Sequence, residues 1–218
     1  MKRYLPILIA VLLAGTARAQ PYEKNILGVR AGLNVSKYGI SSEDAEIRSG
    51  WRAGFHFAVS DQILLHRSLP LYLETGVGFS SRGGRAATRL YGEVWNMTLR
   101  PFYIQVPLLV NYHFNVRDLV TIQPFAGVYG GVGVRGTMKT DYGSDDLFRD
   151  PGLLLLRRTD FGVRAGVGIV AWRVYLGISY DIGCLNQFRG GEIEGNRLRE
   201  GSLGIRNDCL TVNIGYNF

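Results

Sequence analysis

Few residues of this chain have the types and spacing that chemistry needs. Gly131-Val-Gly-Val-Arg-Gly136 fits the G-x-G-x-x-G pattern of a dinucleotide site. That pattern works only where a helix follows the glycines and aims its first N–H groups at a pyrophosphate. Here a polar stretch follows, and glycines that make room inside a sheet are a sufficient reason for the run. The histidines are His56, His66 and His113. They have no i, i+2 pairing and no partnered cysteine, which leaves a metal centre unsupported. Ser179 and Asp181 share one face of a segment, yet neither His56 nor His113 is placed to complete a hydrolase triad with them. No catalytic, cofactor-binding or metal residue is assigned, and a non-enzymatic protein is expected.

The remaining chemistry is charge. Arg30, Arg52, Glu74, Arg82, Asp160, Arg164 and Asp181 all fall on the polar side of alternating segments. If that side is enclosed, they must pair with one another, because an unpaired buried charge costs several kcal/mol. An interior network of ion pairs and hydrogen bonds is the expectation, with a small polar pathway as the alternative.

The elements that carry these residues are strands. Period-two alternation recurs at Ile26–Val35, Gly50–Ser60, Leu69–Arg82, Leu99–Phe114, Val120–Arg135, Thr159–Val170, Arg173–Gly183 and Asn207–Phe218. In the first, Leu27, Val29, Ala31, Leu33 and Val35 oppose Gly28, Arg30, Gly32 and Asn34. The polar side is Gly, Tyr, Ser, Asn and Gln with isolated charges, and the lysines lie outside these segments. Such a face suits a narrow packed bore better than a wetted surface. The apolar side then meets lipid. Pro107 and Pro124 interrupt two of the ladders and suggest bulges there.

Both ends of the chain agree. Lys2 and Arg3, the apolar Leu5 to Ala14 and the small-x-small Ala17-Arg18-Ala19 form an export signal over residues 1–19. The apolar run is too short to span as a helix, and no run of about 18 apolar residues follows. Residues 20–218 are therefore expected to form one domain, an all-β, eight-stranded up-and-down antiparallel transmembrane β-barrel in the outer membrane of a Gram-negative bacterium. The final strand ends on Phe218, an aromatic residue with a free carboxylate that resembles the signal read by barrel-assembly machinery. Formal charge is +7, and loss of Lys2, Arg3 and Arg18 with the leader leaves +4. An exported protein does not meet the chromosome, so this charge points to acidic lipopolysaccharide rather than nucleic acid.

Connections alternate between long polar segments (Ser36–Ser49, Gly83–Thr98, Gly136–Arg158, Leu185–Arg206) and short links, the long ones placed outside the cell. Outward aromatics fall at two depths, Trp51, Phe79, Phe102, Phe161 and Tyr180 at one and Tyr112, Phe114, Trp172, Tyr216 and Phe218 at the other. Tyr91, Trp95 and Arg85–Arg89 make the second long segment aromatic and basic. Asp141, Asp145, Asp146 and Asp150 make the third acidic, without EF-hand spacing. Cys184 and Cys209 flank the last long segment in an oxidising compartment, so a disulfide could close it. Alternation puts Cys184 on the lipid side and Cys209 on the bore side, and a bridge would need a bulge or a loop position at Cys184.

Gly76-Val-Gly-Phe-Ser-Ser-Arg-Gly-Gly84, Phe102-Tyr-Ile-Gln-Val-Pro-Leu-Leu-Val-Asn-Tyr-His-Phe114 and Pro124-Phe-Ala-Gly-Val-Tyr-Gly130 resemble the PorT-like outer-membrane β-barrel domain family of Bacteroidetes. Asp160-Phe-Gly-Val-Arg-Ala-Gly-Val-Gly168 and Tyr175-Leu-Gly-Ile-Ser-Tyr-Asp-Ile-Gly183 look like its next two strands. The resemblance covers the mature chain and implies an eight-stranded barrel, with no cofactor and no set activity. One named member works in a secretion and gliding apparatus, so an accessory role in secretion is one implied reading. The principal expectation is a barrel with a plugged narrow lumen, serving structure or surface interaction through its loops. Its partners would be outer-membrane lipids and lipopolysaccharide, the assembly machinery and a protein at the loops. A narrow channel for small polar solutes is the rival.

Overall fold

A computed structural model describes residues 23–42, 48–90, 93–116, 119–140, 143–149, 155–193, 196–198 and 203–218. The leader expected at 1–19, and Tyr91, Asp141 and Asp150 of the long segments, lie outside the described residues. The strands among the described residues are β1 (Asn25–Ser42), β2 (Arg48–Gly50), β3 (Arg52–His66), β4 (Leu69–Ser81), β5 (Gly84–Leu90), β6 (Glu93–Tyr112), β7 (Phe114–Val116), β8 (Val120–Thr140), β9 (Gly143–Asp146), β10 (Leu155–Leu156), β11 (Thr159–Ala171), β12 (Val174–Gly183), β13 (Phe188–Ile193), β14 (Asn196–Leu198) and β15 (Leu203–Asn217). The long strands β1, β3, β4, β6, β8, β11, β12 and β15 pair antiparallel in chain order. β15 then pairs with β1, Val212 opposite Leu33, and the ladder closes into a ring. Closure satisfies the backbone N–H and C=O groups that an open edge would leave bare.

The alternation is inside-out. Leu33, Phe55, Val77, Leu108, Val163 and Val212 are exposed, whereas Asn34, Gln62, Gln105, Asp181 and Thr211 are buried. Period-two geometry ties the two sets together. A one-residue slip would turn every apolar side chain into the bore and every polar one out.

The ring has two unlike ends. One carries both ends of the described chain and tight connections, Arg67-Ser68 and Trp172-Arg173. His66, expected in a link, belongs to β3, so that link is only a two-residue turn. Trp172 has φ 55°, the left-handed value that the first central residue of such a hairpin turn can require. The other end carries the segments expected as long loops, and much of them is strand. β1 runs on to Ser42, β5 pairs with β6, β9 with β8, and β13 with β10 and β14. Ser, Thr and Lys bond through the main chain as well as apolar residues do. Hydrophobic alternation therefore under-reports strands once they leave the apolar belt.

The prolines interrupt the ladder without a bulge, which corrects the expectation. β4 and β6 pair at Thr75–Leu108 and again at Gly78–Gln105 in the same register, with the rungs beside Pro107 missing. Pro124 likewise sits opposite the gap between Asn111–Phe125 and Phe114–Ile122. A missing N–H removes a rung and leaves the count unchanged. The shift between β6 and β8 lies elsewhere. Phe102 faces Arg135 and Tyr103 faces Gly133, so Val134 is the extra residue.

Candidate functional site

The enclosed face of the ring is the candidate site, and cross-strand pairing assembles it. Arg164 on β11 and Asp181 on β12 are register partners. Asp181 accepts from Arg164 Nε at 2.7 Å and Nη2 at 2.8 Å, and from Arg82 reaching across from the end of β4. Arg82 also donates to Gln105 Oε1 at 3.0 Å and to Ser80 Oγ at 3.1 Å. Asp160 Oδ2 lies 4.0 Å from Arg82 Nη1, and its Oδ1 accepts from Gln187 Nε2 at 3.0 Å. Tyr129 and Asn207 each approach Asp160 Oδ2 at 3.5 Å. The Arg82 and Arg164 guanidinium carbons stand 5.0 and 5.3 Å from the Tyr129 ring centroid. Two guanidiniums and two carboxylates sum to zero charge in one buried layer. Such a layer persists because each charge is both paired and hydrogen-bonded.

Above this layer, toward the hairpins, the interior becomes apolar. Tyr38, Leu99, Met138, Leu147, Phe148 and Phe188 belong to one buried cluster. Gly133 and Gly136 leave the space that the Phe148 ring fills, since a Cβ on Gly136 would come 2.7 Å from it. These are two of the three glycines of the G-x-G-x-x-G run, which lies within strand β8. Arg52 borders the layer from this side, donating to the Arg82 carbonyl at 2.8 Å and to Ser81 Oγ at 3.4 Å.

Below the layer is a cavity of about 50 Å³, bordered by Asn34, His56, Ser60, Ser179, Thr211 and Asn213. Arg30 lies at this level with its guanidinium carbon 3.9 Å from the Tyr175 ring centroid, and its Nη1 donates to the Val29 carbonyl at 3.2 Å. Glu74 accepts from Gln62 at 2.8 Å and Asn111 at 2.9 Å. No ion pair joins Arg30 to Glu74. A second cavity of about 330 Å³ occupies the end with the tight turns, beside Gln123, Arg173, Asn217 and the stacked rings of Tyr72 and His113 (4.0 Å, 18°).

Of the charges singled out in the sequence, the structure thus joins Arg82, Asp160, Arg164 and Asp181. Arg52 adjoins them through backbone, and Arg30 and Glu74 stand in a separate level. The neutral partners Gln105, Tyr129, Gln187 and Asn207 were missed. Parity could have found Gln105 and Tyr129, but Gln187 lies in a segment read as loop. Ser179 is buried beside Asp181, whose oxygens are taken by arginine. His66 Nδ1 accepts the Ser68 N–H at 3.2 Å at the far end of β3. Cys184 is exposed, Cys209 is buried in the bore, and both are free thiols. Phe218 is exposed, edge-on to Tyr216 at 5.3 Å, and its N–H donates to the Leu27 carbonyl at 2.8 Å.

A family model described as an outer membrane protein beta-barrel domain matches residues 18–189. The chain belongs to this outer-membrane β-barrel family. Its place is therefore the outer membrane, where hydrocarbon is the solvent that a row such as Leu33, Phe55 and Val212 requires. Among solved structures, the chain is similar to Neisserial surface protein A (17% identity, covering 88% of this chain and 97% of that one, TM-score 0.47). It is also similar to OprG from Pseudomonas aeruginosa (8% identity, 92% and 99% covered, TM-score 0.47). A further likeness is to Ail of Yersinia pestis, solved with the heparin analogue sucrose octasulfate (11% identity, 90% and 100% covered, TM-score 0.38). No curated protein sequence matches the chain.

Proposed function

We propose that this is an eight-stranded transmembrane barrel whose bore is closed by its own side chains, and that it serves structure or surface interaction without catalysis. The observation that carries this reading is the layer in which Arg82 and Arg164 close on Asp181 beneath an apolar cluster. Ions crossing that layer would have to break paired, desolvated charges and then pass Phe148 and Phe188. The end with tight turns and both ends of the described chain faces the periplasm in this reading, and the hairpins β5–β6, β8–β9 and β13–β14 face outward. The hairpins offer the surface for a protein partner, and the apolar belt and its rims meet lipid and lipopolysaccharide. Planar-bilayer recording on the purified full chain is the test. Absence of current steps is expected, and steps at the level of open porins would overturn the closed bore.

A second reading, a narrow path for small polar solutes, draws on the two polar cavities below the layer. It requires the Arg82–Asp181 contact to open. Placement in the PorT-like branch, with an accessory role in secretion, rests on the motifs alone. A crosslinked pull-down from outer membranes tests it, since a free-standing barrel would capture no secretion component.

A further inference from the structure

On the outer face of the ring, four clustered cations have no ion-pair partner among the described residues. Arg85 on β5, Arg100 on β6, and Arg135 and Lys139 on β8 are all exposed. Register places them on one face. Arg85 stands opposite Thr98 and Thr98 opposite Lys139; Arg100 stands opposite Thr137, and Phe102 opposite Arg135. Leu99, Tyr103 and Met138, which alternate with them, are buried inside. Directly opposed residues sit about 5 Å apart and diagonal ones about 7–8 Å, so Arg100 is a diagonal neighbour of both Arg135 and Lys139. The extra residue Val134 is what puts Arg135 there. Without that bulge, Arg135 would point into the bore.

No ion pair offsets these charges among the described residues. On β9, Asp145 pairs with Met138 on the inward side. Asp146, opposite Thr137, stands on the outward face as a diagonal neighbour of Arg135 and Lys139. It forms no ion pair with either and turns Oδ1 to the Phe148 N–H at 2.8 Å, so the group keeps an excess of positive charge. Lys37, by contrast, stands directly opposite Asp208 and lies 4.8 Å from the Trp51 ring centroid. Like charges at diagonal positions repel unless an anion joins them. Immediately below on the same face come Phe102, Val132 and Val134, the top of the apolar belt.

We propose that Arg85, Arg100, Arg135 and Lys139 form a binding site for the phosphate groups of an outer-leaflet glycolipid of the lipid A class. Guanidinium forks hold phosphate oxygens in pairs. The hydroxyls of Thr98 and Thr137 lie between the cations, and acyl chains descend along Phe102, Val132 and Val134. Free phosphate has the charge and lacks the chains, so it gains only half of these contacts. The site rests on the reading that the hairpin end faces the cell exterior.

The test uses the full-length protein in nanodiscs, titrated with bis-phosphorylated lipid A, with the same lipid stripped of phosphate, and with inorganic phosphate. Wild type is expected to prefer the phosphorylated lipid. The Arg100→Gln/Arg135→Gln pair should bind it roughly 25-fold more weakly, and Arg100→Lys/Arg135→Lys, which keeps the charge and loses the fork, should recover only part of that loss. Arg206→Gln, an exposed arginine on another strand, should leave binding unchanged. Equal binding of both lipids by wild type, or an equal loss in Arg206→Gln, would overturn the site. So would inorganic phosphate that saturates the protein as readily as the lipid. Heat-modifiable gel mobility confirms that each variant folds. Protease cleavage of the hairpins in intact cells separately tests the orientation. Hairpins cut from outside with no lipid discrimination sink this site alone, and hairpins cut only from the periplasmic side sink the reading beneath it.

Discussion

Leu33 and Asn34 are neighbours on β1, yet one is 67% exposed and the other 1%. The same contrast separates the outer belt from the charged layer inside. Outside, leucine, valine and phenylalanine stand bare; inside, Arg82, Asp160 and Asp181 are sealed. In water this arrangement would be unstable on both counts. In a membrane both sides are satisfied, because the belt replaces water with acyl chains and the layer replaces it with partners. Stability therefore comes from different physics on the two faces, and each can be broken separately.

The interior should be the more sensitive. Asp181→Ala strands Arg82 and Arg164 in a buried layer and should cost about 3–5 kcal/mol, read by urea unfolding from lipid vesicles. A loss below about 1 kcal/mol would mean that water reaches the pair. On the belt, Val212→Arg should cost about 2–4 kcal/mol near the bilayer midplane. The same change on a wetted surface would cost within about 0.5 kcal/mol, so this variant separates lipid from water as the outer medium. Packing comes next. Gly162→Val would push a Cβ to 2.8 Å from the Tyr129 hydroxyl and should cost about 1–3 kcal/mol through overcrowding. Lys37→Ala, which removes a cation from the exposed Trp51 ring at the rim, should cost only about 0.5–1 kcal/mol.

How much of this was legible depended on the residue. Parity alone separated Leu33 from Asn34 and placed Arg164 beside Asp181 on one face. Parity is silent about partners, however. Arg30 met the Tyr175 ring rather than an acid, and Glu74 met two amides. Nor could alternation see Val134, because the extra residue sits between Gly133 and a charged Arg135 and looks like the end of a strand. Gln187 closes on Asp160 from a segment whose polar composition reads as loop. The outer hairpins escaped notice for the same reason. Beyond the belt, neither face needs to be apolar, and the signal that marks a membrane strand disappears while the strand continues.

The orientation of the two faces is measured most directly by spin labels placed singly at Leu33, Asn34, Thr211 and Val212, on a Cys184→Ser/Cys209→Ser background in bilayers. At Leu33 and Val212, oxygen dissolved in the acyl chains should reach the label while a water-soluble nickel complex does not. At Asn34 and Thr211, both should be kept out. Labels at Leu33 and Val212 sealed from both reagents, with Asn34 and Thr211 open to the nickel complex, would show an apolar interior and a wetted exterior, and would contradict the account.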